Sequence, residues 1–220
     1  MSTQFLQMLD VLRRRSLRMA SAVEDVLSEA FEALTRVDHG LARRVIDRDA
    51  EIDREEVEVE AEVIRLITLF QPMGADIRFL CTVLKVNNDL ERIADCAVNI
   101  AERVMHLDPA LDREPDEDIR NICPVIQRML RRVVQAYAAS DVAEAREIRG
   151  EDEIVDIFYG EFIRKMVTQA AEAPERMATH LDILSVAKNL ERIADHATNI
   201  AEDVIFLTTG QIVRHGRADG

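Results

Sequence analysis

Apolar and polar positions alternate along almost the whole chain with a period near 3.6 residues, the signature of amphipathic helices with one buried face. Few stretches interrupt the pattern. "VDHG" at Val37 to Gly40 breaks the first periodic segment, and "QPMGAD" at Gln71 to Asp76 breaks the second with Pro72 and Gly74. "LDPALDREPDED", from Leu107 to Asp118, reads as a linker, "ASD" before Val142 offers an N-cap, and Pro174 marks a helix start. The pattern predicts six helices, at about 4–36, 41–70, 75–107, 116–139, 142–171 and 175–208, most of them roughly 35–50 Å long. Short loops make neighbours antiparallel, and three such helices enclose one core. The expected fold is all-α, two tandem pseudo-symmetric three-helix bundles of long antiparallel helices. The domains fall at 1–110 and 111–210, with a frayed tail over 211–220.

The chain repeats itself. "LERIADCAVNIAERV" from Leu90 and "LERIADHATNIAEDV" from Leu190 agree at 12 of 15 positions. A weaker echo lies upstream, where "ARRVIDRDAEID" ends at Asp53 and "AREIRGEDEIVD" ends at Asp156. Self-similarity over about a hundred residues predicts two equivalent bundles rather than a short-period solenoid.

The repeat preserves more than a core. On a helical wheel Glu91, Asp95, Asn99 and Glu102 share one stripe, while Leu90, Ile93, Ala94, Ala97, Ile100, Ala101 and Val104 form the opposite face. Glu191, Asp195, Asn199 and Glu202 repeat the stripe, which is therefore expected to point away from the core of its own bundle. Asp49 with Asp53, and Asp152 with Asp156, add a D-x-x-x-D pair on the preceding helix of each copy. Carboxylates four apart repel by a few tenths of a kcal/mol per exposed pair. Duplicating an unfavourable pattern predicts that a cation offsets it. A favourable register between neighbouring helices would gather four carboxylates per bundle. The all-oxygen set suits iron, manganese, magnesium or calcium, and iron or manganese best; zinc would want thiolates or paired imidazoles. A plain solvated face is the competing reading. His196 lies off the stripe.

Composition narrows the function. The 220 residues carry a formal net charge of −14, which disfavours nucleic acid and anionic membrane as direct partners. Three dispersed cysteines without a CxxC argue against a disulfide framework and a structural zinc, and fit a reducing cytoplasm. The longest apolar run, "VIRLITLF", is far short of the roughly 20 residues of a membrane span, and the N-terminus has no signal-peptide pattern. No glycine-rich phosphate loop, no E-x-x-H pair and no Ser-His-Asp set is visible, so an enzyme is not expected. The alternative to a binding and signalling protein is a helical metal store or scaffold with exposed carboxylate sites.

At "LERIADCAVNIAE", "LERIADHATNIAE" and "QPMGADIRFL" the sequence resembles the PhoU family of bacterial phosphate uptake, and the six-helix duplicated layout extends the resemblance over essentially the whole chain. The resemblance implies two three-helix bundles and metal-binding E(D)-x-x-x-D motifs. They map onto Asp49 and Asp53 with Glu91 and Asp95, and onto Asp152 and Asp156 with Glu191 and Asp195. It implies a cytoplasmic regulator held near the inner membrane only through its protein partners; a homodimer is expected separately, because long amphipathic helices leave a second apolar edge. Those partners would be the ATPase of the phosphate ABC transporter and a sensor histidine kinase, and its role would be to restrain the phosphate-starvation response when phosphate is plentiful. Copy two departs from the pattern: "APERMATHLD" replaces "QPMGAD", and Tyr159 and Ile163 stand where Glu56 and Glu60 continue the acidic stripe of copy one. The two sites are therefore expected to be unequal.

Overall fold

In the computed structural model, residues 3–110 and 116–213 are described. The described residues form α1 (Thr3–Arg36), α2 (His39–Asp47), α3 (Asp49–Phe70), α4 (Ala75–Val104), α5 (Glu117–Ala139), α6 (Val142–Arg149), α7 (Asp152–Glu172) and α8 (Met177–Thr209), with one 3₁₀ turn at Pro174–Arg176 and no strand. Helices α1 to α4 pack as one three-helix bundle and α5 to α8 as the other, with α2–α3 and α6–α7 each serving as one bent arm. Residues 111–115 of the predicted linker and 214–220 of the predicted tail lie outside the described residues.

The second and fifth predicted helices are not continuous. Each breaks once, at Arg48 and at Gly150–Glu151, with every hinge residue still in right-handed helical conformation. The amide of Arg48 reaches back to Arg44 and Val45, and those of Gly150 and Glu151 to Glu147 and Ile148, so the turn tightens there and the chain restarts in a new direction. Arg48 is no helix breaker, so sequence alone does not reveal the kink. Its consequence is that Asp49 and Asp152 become the first residues of new helices.

The duplication reaches the backbone. α1 ends at Val37 (φ 49°) and α5 at Ser140 (φ 55°), both left-handed. The next residue's amide then closes a 2.9 Å bond five back, Asp38 to Ala33 and Asp141 to Ala136. Each aspartate goes on to cap the following helix, Asp38 through the amide of Leu41 and Asp141 through those of Ala143 and Glu144.

The most extensive helix contact joins the bundles: α4 lies on α8. The pair is antiparallel, since Lys85 meets Asp203, Asp89 meets His196, and Asp182 meets Arg103 and His106. These pairings place the pseudo-twofold axis near Ile93 and Ile193, both fully buried. Ala94, Ala97, Ala101 and their copies Ala194, Ala197 and Ala201 are buried along the same two helices, and small side chains let helix axes approach closely. One continuous apolar core results, running from Val23 and Ile52 through Ile93 and Ile193 to Ile126 and Phe162. A second cluster around Phe5, Val63, Leu66 and Leu80 fills the far end of the first bundle.

Because one core serves both bundles, they should unfold together. Ile93→Ala and Ile193→Ala are each expected to lower the unfolding free energy by about 2–5 kcal/mol while keeping a single cooperative transition. Chemical denaturation followed by circular dichroism measures this. Two resolved transitions in either variant would contradict the shared core.

Candidate metal centres on the two bundles

The bend in each arm sets the starts of α3 and α7 against the middles of α4 and α8. In the first bundle, one carboxylate oxygen from each of Asp49, Asp53 and Asp95 lies within 4.8 Å of the others. In the second, Asp156, Glu191 and Asp195 gather to the same limit. The register between neighbouring helices thus brings six of the twelve residues named from sequence into two trios. All six present only oxygen, and each trio lies open enough for an ion to enter. Oxygen donors at this spacing fit a hard or borderline cation.

The electrostatics agree with the crowding. Burial, and then the charges of Asp53, Asp95 and Glu102, hold Asp49 above the usual aspartate range. Glu91 is raised by burial, then by Asp95, with Asp53 and Glu56 adding and Arg92 opposing. In the second bundle burial raises Asp152, with Asp156, Glu191 and Glu202 adding. Asp195 is pushed up to about 6, by burial first and then by Glu191, Asp152 and Asp156. Glu91 and Asp152 therefore sit at the edges of the trios and feel them.

The other four residues behave differently. Glu202 is 9% exposed, and Arg149 donates to its carboxylate at 3.1 Å, so its charge is already engaged. The expected outward stripe is corrected here: its end in copy two turns into the junction with α6. Glu102 lies 3.8 Å from Arg103, and its charge is felt at Asp49. Asn199 donates to Asp89 across the seam at 3.3 Å instead of facing the trio. Asn99 is half-buried, with no side-chain hydrogen bond among the described residues. Nor is the stripe free of cations. Arg92 contacts Glu91 at 3.2 Å and Asp95 at 3.1 Å, and Lys188 holds Glu191 at 2.6 Å.

One feature at the seam is absent from the sequence expectations. An open groove of about 780 Å³ runs beside the second trio and is lined by Asp152, Asp195, Glu202, Lys85, Asp89 and His196, among others. His196 Nδ1 lies 2.8 Å from the buried Asp89 carboxylate. The cysteines remain thiols; burial pushes Cys96 up to about 11 and Cys123 up to about 12, away from reactivity.

Raised carboxyl groups hold protons more tightly in the folded chain than in the unfolded one. Their contribution to stability is full below the unfolded value near 4 and is lost as the pH rises through about 6 for Asp195. Metal-free protein is therefore expected to melt at a higher temperature at pH 5 than at pH 7, and Asp195→Asn should flatten that rise. Calorimetric melting across this window is the check; a wild-type melting temperature that falls steadily on acidification would exclude it.

Comparison with known proteins agrees with this architecture. The family model described as the PhoU domain matches residues 16–104 and again 119–204. A phosphate-specific transport system accessory protein PhoU homolog of Zymomonas mobilis is 37% identical over 200 residues, covering 91% of this chain and 84% of the relative. Its namesake from Pseudomonas aeruginosa is 34% identical over 215 residues, covering 97% and 89%. The crystal structure of PhoU from Pseudomonas aeruginosa superposes with a TM-score of 0.90 at 33% identity, over 94% of this chain and 100% of that one. The phosphate transport system regulatory protein PhoU from Streptococcus pneumoniae gives 0.88 at 26%, over 95% and 99%. These names describe accessory and regulatory proteins, not enzymes. The duplicated fold, the doubled match and the level of identity together place the chain in the PhoU family.

Proposed function

We propose that this chain regulates phosphate transport as a metal-loaded adaptor between the ATPase of the phosphate ABC transporter and a sensor histidine kinase, and that it holds down the phosphate-starvation response when phosphate is plentiful. The observation that carries the reading is the pair of carboxylate trios at equivalent places on two bundles of a PhoU-family fold. Relatives of nearly the same length bear the name of phosphate transport accessory protein. No described helix is long and apolar enough to cross a membrane, so contact with a transporter would run through protein surfaces. Exposed Val57 and Ile64 on α3, with Ile154 and Ile157 on α7, offer apolar surface for such contacts or for the expected homodimer. Two small open trios suit a protein whose shape is set by metal better than a store, which would need room for many ions.

A cation bridging α3 to α4, or α7 to α8, stabilises the folded state according to its concentration over its dissociation constant. A hundredfold excess corresponds to about 2.7 kcal/mol per site, a rise of roughly 5–10 °C for a chain of this size. Asp53→Ala with Asp95→Ala should abolish one class of site, and Glu191→Ala with Asp195→Ala the other, each leaving the remaining one intact. Calorimetric titration with manganese and with iron(II) reads this directly. Absence of saturable binding in the wild type from micromolar to millimolar metal would reduce both trios to solvated acidic surface.

The regulatory part is tested in cells. Deleting the gene is expected to raise transcription of phosphate-uptake genes in phosphate-rich medium. Normal repression in the deletion strain, with neither the transporter ATPase nor a histidine kinase co-purifying with the tagged protein, would count against the adaptor.

A further inference from the structure

We propose that the junction formed by α1, the start of α4, the α5–α6 turn and the end of α8 binds inorganic phosphate through Arg13 and Arg78. The regulatory reading enters only in choosing phosphate among oxyanions; the site itself is argued from its geometry.

Most cations in this acidic chain that are not fully exposed already have a carboxylate. Arg15, Arg48, Lys85, Arg132, Arg149 and Lys165 each pair with one. Exposed arginines such as Arg43 need none, because water serves them. Arg78 is different. It is half-buried, makes no ion pair among the described residues, and its Nε is sealed from solvent without an acceptor. Leaving a charged donor so placed is costly unless something else accepts from it.

The surroundings of Arg78 are closely fitted. Its guanidinium lies against the backbone of Gly210, the left-handed residue that ends α8 (φ +75°), where an added Cβ would come 2.5 Å from Nη1. The neighbouring Phe79 ring carries the Arg13 guanidinium, 5.9 Å from its centroid. Arg13 Nη2 donates to Ser140 Oγ at 3.3 Å and likewise makes no ion pair among the described residues. Thr208 Oγ1 donates to the Ser140 carbonyl at 3.5 Å, two residues before Gly210. Contacts join Arg13 to Ser140 and to the Phe79 ring, Ser140 to Thr208, and Gly210 to Arg78, with Thr208 close to Gly210 and Phe79 next to Arg78 along the chain. Two guanidiniums without a carboxylate partner among the described residues are thus carried by one junction, where the Ser140 hydroxyl accepts from Arg13 and keeps its own proton to donate. The adjacent Asp141 carboxylate is occupied in capping α6, and Asp203 is buried against Lys85. Guanidinium forks match the paired oxygens of a tetrahedral oxyanion. The C-terminal carbonyls of α8 would also draw a cation toward Gly210, but they leave Arg78 Nε without an acceptor among the described residues. The junction includes residues of both bundles, so an anion held there would tie them together at a point remote from Asp49 and Asp53 in sequence and element.

The test uses the full chain, freed of metal and kept in chelator, titrated calorimetrically with inorganic phosphate. Wild type should bind saturably. Arg78→Gln should weaken binding roughly tenfold or more, the loss of a charge-assisted fork, and Arg13→Gln severalfold. Asp53→Ala with Asp95→Ala should leave it unchanged. Sulfate at equal ionic strength should bind severalfold more weakly. Circular dichroism confirms that each variant is folded; because Arg13 is exposed, its variant decides the matter should Arg78→Gln misfold. No saturable binding by wild type, wild-type affinity in the folded arginine variants, or equal affinity for sulfate would each overturn the proposal. Any of these would leave the regulatory reading standing, since that is judged by gene expression in the deletion strain.

Discussion

The antiparallel contact between α4 and α8 is what the rest of the molecule is built around. Each of these helices is the central helix of its bundle, and each turns one face to its own arm and another to its twin. A helix that must satisfy two sides cannot spare much of its circumference for solvent, and the buried residues of α4 and α8 accordingly spread beyond a single stripe. The carboxylates are confined to the sector left over. Their position is thus a consequence of the seam, and a substitution that shifts α4 against α8 would disturb both trios at once.

Magnitudes show why the trios call for a counter-charge. Two unit charges about 4 Å apart repel by about 1 kcal/mol in water and about 4 kcal/mol near a protein surface. Asp49 and Asp152 gain from lying in the first turns of α3 and α7, where the helix dipole favours anions, but by only about 0.3–1 kcal/mol each at an exposed site. Arg92 and Lys188 relieve part of the remainder. Burial first, and then the repulsion that is left, raises the proton affinity of Asp49, Glu91, Asp152 and Asp195. A group that binds protons too well for its type also binds cations well, and a divalent ion shared by three carboxylates removes several repulsions at once.

Much of this was legible in the sequence for a definite reason. Helix period, helix ends and the repeat are local or self-referential patterns, and they specify the bundles and the acidic residues without tertiary information. The bends at Arg48 and Gly150–Glu151 were hidden because no residue there forbids a straight helix; packing of the arm around its bundle sets them. The burial of Glu202 was hidden because its partner, Arg149, lies on another helix. Yet the seam had left a mark. Among fifteen repeated positions the three mismatches are Cys96/His196, Val98/Thr198 and Arg103/Asp203. His196 pairs with Asp89, Thr198 lines the groove, Arg103 pairs with Asp182 and Asp203 with Lys85. A pseudo-twofold sets a residue of one helix against a different residue of the other, so identical copies would form each pair twice. Divergence leaves each pair single, since the twin of Asp89 with His196 is Asn189 with Cys96.

The same divergence makes the two candidate metal centres chemically different. In the first bundle, Glu56 and Glu60 extend the carboxylates of α3; burial, then the charges of Glu60 and Asp53, raise Glu56, and Glu56 adds to the rise at Glu91. In the second, Tyr159 takes the place of Glu56, and Lys188, where the first copy has Asn88, stands over its ring at 5.2 Å while holding Glu191. Both trios thus carry a cation, Arg92 on Asp95 and Lys188 on Glu191, but only the first has the further carboxylates of Glu56 and Glu60. Coulomb attraction for a multivalent ion is stronger where more uncompensated carboxylates converge. The first site should fill before the second as metal rises, and each must displace a cation, Arg92 from Asp95 or Lys188 from Glu191, to use those oxygens. Such a chain would respond to metal in two steps, one per bundle, transmitted through a seam that both bundles share.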